Sequence, residues 1–382
     1  MRFLFASDSF KGTLSSQRTA QLLAQAAQEI FPGCEWDSVT AADVGEGTTD
    51  AVLDVAQGER IRVTVTGPLG EPVEASYGVL NDGRVVMEMA AASGLPLVPE
   101  KDRDPRRTTT YGTGEMIRDA LERGYRDISI AIGGSATNDG GMGCMRALGI
   151  RFLDASGAEL SGCGEDLIRI ERIDISGLDP RVREAHFTVM CDVTNPLCGP
   201  EGATYTYGRQ KGGTPEILEE LEMGMCHYRD LIKKQFDVDM DRIPGAGAAG
   251  GLGAALMVFL KGQLRSGIET VLDLIGFDKK LEGVSLVVTG EGATDWQSVF
   301  GKVMQGVGEH CKRKGIPAVA IVGSMGPGAE DIFDHGIDSI MTTVNGIMPL
   351  DEALGRAEEL YLNAARRLFR LLRAGSRIGE KE

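Results

Sequence analysis

The sequence predicts an α/β protein built on mainly parallel sheets. Short apolar runs rich in β-branched residues alternate along the chain with segments whose apolar residues recur at helical spacing. That alternation is typical of parallel strands joined by helices that cover both faces of a sheet. The 52 glycines, roughly twice the average share, indicate many tight connections between the elements.

The N-terminal segment predicts a strand followed by a helix. Residues 1–6 form an apolar run that predicts a buried strand. Residues 15–31 have helical spacing with Ser15 or Ser16 as the N-cap, and Pro32-Gly33 ends this helix. By the same criteria, further strands are predicted at residues 60–66, 84–90, 127–132, 186–191, 285–289, 318–322 and 339–344. Helices are predicted at residues 113–123, 215–236, 250–260, 267–275, 303–314 and 351–374.

Length, charge and cysteine content exclude several classes of protein. The 382 residues are enough for about two domains of ~100–200 residues. A net charge of −16 without a Lys/Arg block argues against nucleic-acid binding and favours a divalent cation as the means of attracting an anionic substrate. Seven cysteines without a C-x-x-C pair predict neither a disulfide framework nor a thiolate metal site. No apolar run approaches the ~18–20 residues of a membrane span, so we expect a protein that does not bind membranes. We expect it to work in the cytoplasm as a monomer or homodimer.

Polar loops follow five of the predicted strands. These loops begin at Asp8, Gly133, Asp192, Gly290 and Ser324. Ligands of open α/β sheets bind outside the carboxyl ends of the strands. We therefore expect loops of this kind to form the active site.

The most distinctive loop, at residues 133–141, reads Gly-Gly-Ser-Ala-Thr-Asn-Asp-Gly-Gly. It joins a predicted strand to a helical segment, so its amides could approach the oxyanions of a nucleotide, although the Walker spacing is absent. The alternative is a glycine-rich connection selected for close packing. The candidate nucleotide-binding residues are Gly133, Gly134, Ser135, Asn138 and Asp139.

Carboxylates in other loops are candidates for holding magnesium. Glu46 lies between two glycines before a helical run, and Glu291 and Asp295 follow a predicted strand. In the same region, Gly290 and Lys302 are candidate phosphate contacts. A solvated surface turn is the alternative for each of these loops.

Three residues are candidates for direct roles in catalysis. Asp8 and Lys11 stand between the first strand and the first helix, where free amides favour an anion and Lys11 adds positive charge. Asp192 ends an apolar strand, which is the placement expected of a general base. The alternatives are a capping turn near Asp8 and an Asx turn before Pro196.

Several uncommon segments, taken in order, resemble the bacterial glycerate kinase family from Phe3 to about Leu354. They are Asp8-Ser9-Phe10-Lys11-Gly12, Gly45-Glu46-Gly47-Thr48, residues 133–141, Cys191-Asp192-Val193, Asn195-Pro196, Gln210-Lys211-Gly212, residues 244–253 and Thr289-Gly290-Glu291-Gly292. The resemblance implies ATP-dependent phosphorylation of D-glycerate with Mg²⁺, mainly to 2-phosphoglycerate. It also implies two α/β domains: a flavodoxin-like one, which we expect at residues 1–66 and 285–382, and an inserted one at residues 67–284.

The chain departs from the family pattern at Ser7, Val44, Ala293, Trp296 and Met304. Ala293 stands where an arginine is usual, so another cation must steady the bound anion or the substrate must differ. Three alternatives therefore remain. They are a kinase of a related hydroxy acid, an enzyme forming 3-phosphoglycerate, and a weakly active paralogue that binds a nucleotide or an acid.

The resulting hypothesis gives each group one role in phosphoryl transfer. Asp192 is the favoured base for the glycerate hydroxyl, with Asp8 as the second choice. Lys11 faces the transferred phosphoryl group, and the amides of residues 133–141 bind nucleotide phosphates. Glu291 and Asp295 hold magnesium directly or through water.

Overall fold

The computed structural model describes residues 1–10, 12–39, 47–295 and 302–379. The chain divides into two compact units, Met1–Asp43 with Val271–Glu382 and Val44–Thr270. Both ends of the chain therefore contribute to the first unit, and the middle of the chain forms the second. The domain boundaries expected after residues 66 and 284 stay a prediction.

The strands and helices alternate over most of the chain. The strands are β1 (Arg2–Ser7), β2 (Glu35–Ser38), β3 (Gly58–Thr66), β4 (Pro72–Leu80), β5 (Val85–Glu88), β6 (Asp127–Ala131), β7 (Arg151–Leu153), β8 (Arg172–Asp174), β9 (His186–Met190), β10 (Gln263–Arg265), β11 (Leu286–Gly290), β12 (Ala293–Thr294), β13 (Ala318–Val322), β14 (Ser324–Met325) and β15 (Ser339–Thr342). The helices are α1 (Ser16–Ile30), α2 (Thr48–Ala56), α3 (Ala90–Ser93), α4 (Tyr111–Glu122), α5 (Met142–Ala147), α6 (Ala203–Tyr207), α7 (Pro215–Phe236), α8 (Leu252–Phe259), α9 (Gly267–Leu274), α10 (Phe277–Lys280), α11 (Val303–Lys314), α12 (Leu350–Gly355) and α13 (Ala357–Gly379). None of the helices described has both the length and the apolar character needed to cross a membrane.

The first unit contains a parallel sheet with the strand order β15-β13-β11-β1-β2. Counted along this unit, the order is the 2-1-3-4-5 order of flavodoxin-like sheets. The chain moves from β1 to β2 on one side and returns to the other side of β1 in β11. The switch point, where such sheets bind ligands, therefore lies between the carboxyl ends of β1 and β11.

Packing on both faces of β1 holds this sheet. Phe3 and Phe5 belong to one hydrophobic cluster with residues of α1 and α13, while Leu4, between them, is also fully buried. Helix α1 begins after Ser15, whose hydroxyl accepts a hydrogen bond from the amide of Arg18. The cap thus fixes the start of α1 a few residues beyond the carboxyl end of β1.

The second unit contains a mixed sheet with the strand order β10-β9-β6-β5-β4-β3. Strands β5, β6, β9 and β10 run parallel, whereas β4 pairs antiparallel with both β3 and β5. The predicted α/β class with mainly parallel strands is confirmed, and the antiparallel pairs lie at the β3–β4 edge of this sheet. Strand β4 is missing from the predicted elements because turn residues precede it. Its signal is the alternation of Val73, Ala75, Tyr77 and Val79, whose side chains pack on the core side of the sheet.

Helices are predicted best where periodicity is long and the ends carry clear signals. Helices α7 and α11 have the predicted bounds, because Pro215 begins the first and Gly315 ends the second. The single helix predicted at residues 351–374 is wrong. The structure has α12 and α13 there instead, separated at Arg356, where the backbone leaves helical geometry.

We predict that Gly290→Ala destabilises the first unit. A Cβ at Gly290 would overlap the backbone carbonyl oxygen of Ile321 in the neighbouring strand β13. A main-chain atom within a sheet cannot move aside as a side chain can, so we expect a loss of roughly 1–3 kcal/mol in unfolding free energy. Urea denaturation followed by circular dichroism measures this loss.

The matched control is Gly375→Ala in α13, where an added Cβ meets nothing within 4 Å. This change should leave stability unaltered or raise it by up to ~1 kcal/mol. Equal denaturation midpoints for the two variants would contradict the packing role of Gly290.

Candidate functional site

Two buried carboxylates lie at the switch point of the first unit. Asp8 directly follows β1 and Glu291 directly follows β11, and the register that pairs Ser7 with Gly290 sets these strand ends side by side. The amide of Asp8 donates a hydrogen bond to the carbonyl oxygen of Gly290 over 2.9 Å. Asp8 is 8% exposed and Glu291 is 7% exposed. The sheet therefore brings together two predicted site residues from opposite ends of the chain.

Asp8 and Glu291 line a cavity of about 410 Å³. The half-buried Lys302 lines it too, as does Ser324 beyond β13. Apolar residues complete much of the lining, among them Phe10, Leu14, Leu350, Ala353 and Leu354. A cavity with two acids, a cation and an apolar wall can hold a ligand that is charged at one end and apolar at the other.

Two other residues predicted for this region, Gly290 and Asp295, do not line this cavity. Gly290 is buried inside β11, where the absence of a side chain lets β13 approach. Asp295 follows β12 and is half-buried. Lys11 and Glu46 lie outside the described residues.

A second cavity, of about 350 Å³, lies in the second unit. Gly133, Gly134 and Ser135 follow β6, and Asp192 follows β9, which is the parallel neighbour of β6. All four residues line the cavity, and Tyr207 lies beside them. The structure thus joins the start of the glycine-rich loop with the predicted base.

Hydrogen bonds from the start of α9 orient the Asp192 carboxylate. Its Oδ1 atom accepts one from the amide of Gly267 over 2.9 Å and one from the hydroxyl of Ser266 over 3.2 Å. Gly267 begins α9, so the carboxylate also meets the positive end of a helix. Asp192 is exposed at the cavity. An oriented, accessible carboxylate is suited to accepting a proton from a bound hydroxyl.

Asp139, by contrast, is fully buried and bonded to the protein itself. One carboxylate oxygen accepts hydrogen bonds from the amide and the hydroxyl of Thr110, each over 2.7 Å, and from the amide of Gly143 over 3.2 Å. The other accepts from the amide of Gly141 over 3.1 Å. Burial raises the pKa of Asp139, while these hydrogen bonds oppose the rise. Its observed contacts all stabilise the loop.

Asn138 is fully buried as well, and its Nδ2 donates to the hydroxyl of Thr204 over 3.2 Å. Gly140 and Gly141 have φ values of 63° and 74°, and side chains there would collide with Tyr228 and Ala255. The second half of the loop is therefore shaped by close packing, whereas its first half lines a cavity. A direct cofactor contact by Asn138 or Asp139 stays a prediction.

Comparison with known proteins shows the family. Residues 3–373 match the glycerate kinase family. The chain belongs to the glycerate kinase family. The curated "Glycerate 2-kinase" of Escherichia coli (strain K12) is 46% identical over 378 residues, covering 99% of each chain. The "Glycerate kinase" of Bacillus subtilis (strain 168) is 44% identical, covering 96% of each.

A solved structure shows the same fold. It is described as that of a candidate glycerate kinase 2 from Salmonella typhimurium LT2. It matches with a TM-score of 0.85 and 44% identity over 99% of each chain. The resemblance to glycerate kinases found in the sequence and the predicted α/β fold are both confirmed.

A buried lysine of this glycerate kinase family member is missing from the predicted site. Lys211 is 2% exposed, and its Nζ atom donates hydrogen bonds to Ser135 Oγ over 2.8 Å and to the carbonyl oxygen of Thr137 over 2.6 Å. Burial lowers the pKa of Lys211 to about 7, although the charge of Asp139 opposes that change. The segment Gln210-Lys211-Gly212 was part of the family resemblance, but a single lysine carries no signal of burial.

We predict that Lys211 makes stability depend on pH. Its pKa is lower in the folded protein than the ~10.4 of an unfolded chain, so the unfolded state binds more protons between these values. The contribution of Lys211 to the unfolding free energy therefore rises with pH across this interval. It is lowest below about pH 7. Relative to Lys211→Met, wild-type unfolding free energy should rise by roughly 2–4 kcal/mol between neutral and alkaline pH.

Chemical denaturation across that pH range measures the difference. Lys101→Met is the matched control, because Lys101 is exposed in the same unit. It should keep the wild-type pH profile. Parallel profiles for wild type and Lys211→Met would show that Lys211 titrates normally.

Proposed function

We propose that this chain is an ATP-dependent kinase that phosphorylates D-glycerate with the help of Mg²⁺. Its family membership and the names of its relatives support the activity. The structural observation that carries the proposal is the pair of buried acids, Asp8 and Glu291, at the switch point of a flavodoxin-like sheet. Lys302 lines the same cavity, and its positive charge suits a phosphate group.

The first cavity has the donor chemistry that suits magnesium. Mg²⁺ prefers oxygen ligands and is usually held by one or two carboxylates together with phosphate oxygens and water. Asp8 and Glu291 provide two carboxylates in one cavity, so they fit this ion. When bound, the ion would neutralise negative charge on the phosphates. Asp295 and Glu46 remain candidates for holding it through water.

The second cavity supplies the groups that act on the acceptor hydroxyl. We assign Asp192 as the base that receives the hydroxyl proton and the amides near Gly133 and Gly134 as donors to phosphate oxygens. Ser135, held by Lys211, adds a positioned hydroxyl. Phosphoryl transfer needs mainly alignment and charge stabilisation, and these groups can provide both.

We propose the 2-hydroxyl as the site of phosphorylation. The support is the name of the Escherichia coli relative, a glycerate 2-kinase that is 46% identical over 99% of both chains. Phosphorus and carbon NMR of the product distinguishes 2-phosphoglycerate from 3-phosphoglycerate. Formation of 3-phosphoglycerate would exclude this assignment while leaving the kinase proposal intact.

One observation favours a second candidate, a kinase of a related hydroxy acid. Ala293, which stands where the family usually has arginine, is exposed and lines the first cavity. The cavity thus lacks a cation at that position. Comparing kcat/KM for glycerate with values for other small hydroxy acids decides between the two. Val44 and Trp296, which also depart from the pattern, lie outside the described residues.

We also propose that the protein works in the cytoplasm as a monomer or a homodimer. All seven cysteines are free thiols in the structure, which supports a reducing compartment. Size-exclusion chromatography with light scattering decides between the two oligomeric states.

We predict that Asp192→Asn lowers kcat by ~100-fold or more, as expected for loss of a general base. Asparagine keeps an Oδ1 acceptor for Gly267, so folding should be preserved. A coupled assay of ADP formation with glycerate measures the change. Asp54→Asn, an exposed change in the same unit, should leave kcat unaltered. Near-normal turnover of Asp192→Asn would remove Asp192 from the role of base.

We predict that Glu291→Gln raises the Mg²⁺ concentration needed for half-maximal activity by ~10-fold or more, because one carboxylate ligand is lost. Glu330→Gln is the control, because Glu330 is exposed in the same unit. Titrating Mg²⁺ at fixed ATP and glycerate measures the effect. An unchanged Mg²⁺ requirement in Glu291→Gln would place the ion elsewhere.

A further inference from the structure

Outside both cavities, the second unit contains a compact cluster of two cysteines and a glutamate. The Sγ atoms of Cys198 and Cys226 and a carboxylate oxygen of Glu222 all lie within 4.8 Å of one another. Glu222 and Cys226 are one turn apart on α7, so their side chains share a face of the helix. Cys198 comes from the segment before α6 and reaches the same face.

We propose that Cys198, Glu222 and Cys226 form a binding site for a thiophilic divalent cation, with zinc as the natural occupant. Zinc binds cysteine sulfur at ~2.3 Å and carboxylate oxygen at ~2.0–2.2 Å in tetrahedral geometry. Such a site needs ligand atoms ~3.3–3.8 Å apart. Cys226 Sγ already lies 3.7 Å from Glu222 Oε1, and the remaining distances need to shorten by about 1 Å at most.

The Glu222 carboxylate provides an independent sign of a missing partner. Glu222 is 8% exposed, and its Oε1 accepts a hydrogen bond from the amide of Gly199 over 2.6 Å. Its Oε2 is buried and has no hydrogen-bond partner among the described residues. A buried carboxylate oxygen without a partner is unfavourable. A cation that both carboxylate oxygens contact, beside the two sulfurs, would satisfy it.

A bound divalent cation offsets most of the negative charge of its three ligands. Cysteine binds a metal ion as the thiolate. Binding replaces each S–H proton with a metal–sulfur bond, and two protons pass to solvent. Two thiolates, one carboxylate and Zn²⁺ then carry a net charge of −1. The positive charge of Arg229 acts on both sulfurs, and the carboxylates of Asp230 and Asp241 also pair with it.

The site would stabilise the wall of the second cavity. Cys198 lies just before α6, which carries Tyr207, and Gln210 follows in the next short helix. Tyr207 and Gln210 both line that cavity. A metal that ties Cys198 to α7 would fix the segment that carries them. Three protein ligands leave a fourth position for water. Stabilising this cavity wall is a structural role, separate from the proposed kinase chemistry.

Because the sequence has no C-x-x-C pair, we expected it to lack a thiolate metal site. The proposed cluster reverses that expectation. Two of its ligands are related by helical periodicity and the third is distant in sequence. Spacing rules for local motifs therefore do not detect it.

Cobalt binding to the reduced, metal-free full-length protein tests the proposal. In wild type, one Co²⁺ per chain should give a thiolate-to-cobalt charge-transfer band, and Zn²⁺ should abolish this band. Cys198→Ser and Cys226→Ser should lose the band. Glu222→Gln should weaken Zn²⁺ binding by more than the ~10–100-fold that loss of an outer-shell partner costs. Because the band reports thiolate ligation, binding to the magnesium site does not produce it.

Cys163→Ser is the matched control, because Cys163 is a half-buried thiol of the same unit outside the cluster. It should keep the wild-type band, and Zn²⁺ should raise its melting temperature as it does for wild type but not for Cys226→Ser. Absence of the band from reduced wild type overturns the proposal, as does its persistence in Cys226→Ser. Non-reducing peptide mapping shows whether a Cys198–Cys226 disulfide forms instead. A reduced protein that re-forms this bond and takes up no cobalt also overturns the proposal.

Discussion

The parallel pairing of β1 with β11 is the constraint on which the first unit depends. Ser7 and Gly290 are partners in this register, so the residues that follow them, Asp8 and Glu291, are placed next to each other. Gly290 also permits the approach of β13, which brings Ser324 to the same cavity. One hydrogen-bonded ladder between distant parts of the chain therefore holds the sheet together and places Asp8 beside Glu291.

The second unit places its functional groups through buried polar contacts. Lys211 holds Ser135 and the carbonyl oxygen of Thr137, while Asp139 collects donors from the loop and from Thr110. An unpaired buried charge would be costly, so these contacts must form together with the fold. The glycines at the start of the loop can then face the cavity because its other end is fixed in the core.

The sequence predicts well those features that depend on local patterns. Helical periodicity with Pro215 and Gly315 locates α7 and α11, and a strand end locates Asp8 and Asp192. Features that depend on tertiary partners are harder to predict. The burial of Lys211 and of Asp139 arises from segments far away in sequence, so neither composition nor spacing reveals it. Strand β4 was within reach of pattern analysis, because Val73, Ala75, Tyr77 and Val79 alternate.

The proposed catalytic groups share one physical property, which is that a distant segment orients each of them. The amide and hydroxyl at the start of α9 hold the Asp192 carboxylate, the end of β11 fixes the main chain at Asp8, and Lys211 holds the hydroxyl of Ser135. Phosphoryl transfer gains most from groups that are in place before reaction, since reorienting dipoles during the reaction raises the barrier. A kinase that does little covalent chemistry can therefore be built from ordinary carboxylates, amides and a hydroxyl, provided that the fold restricts their motion.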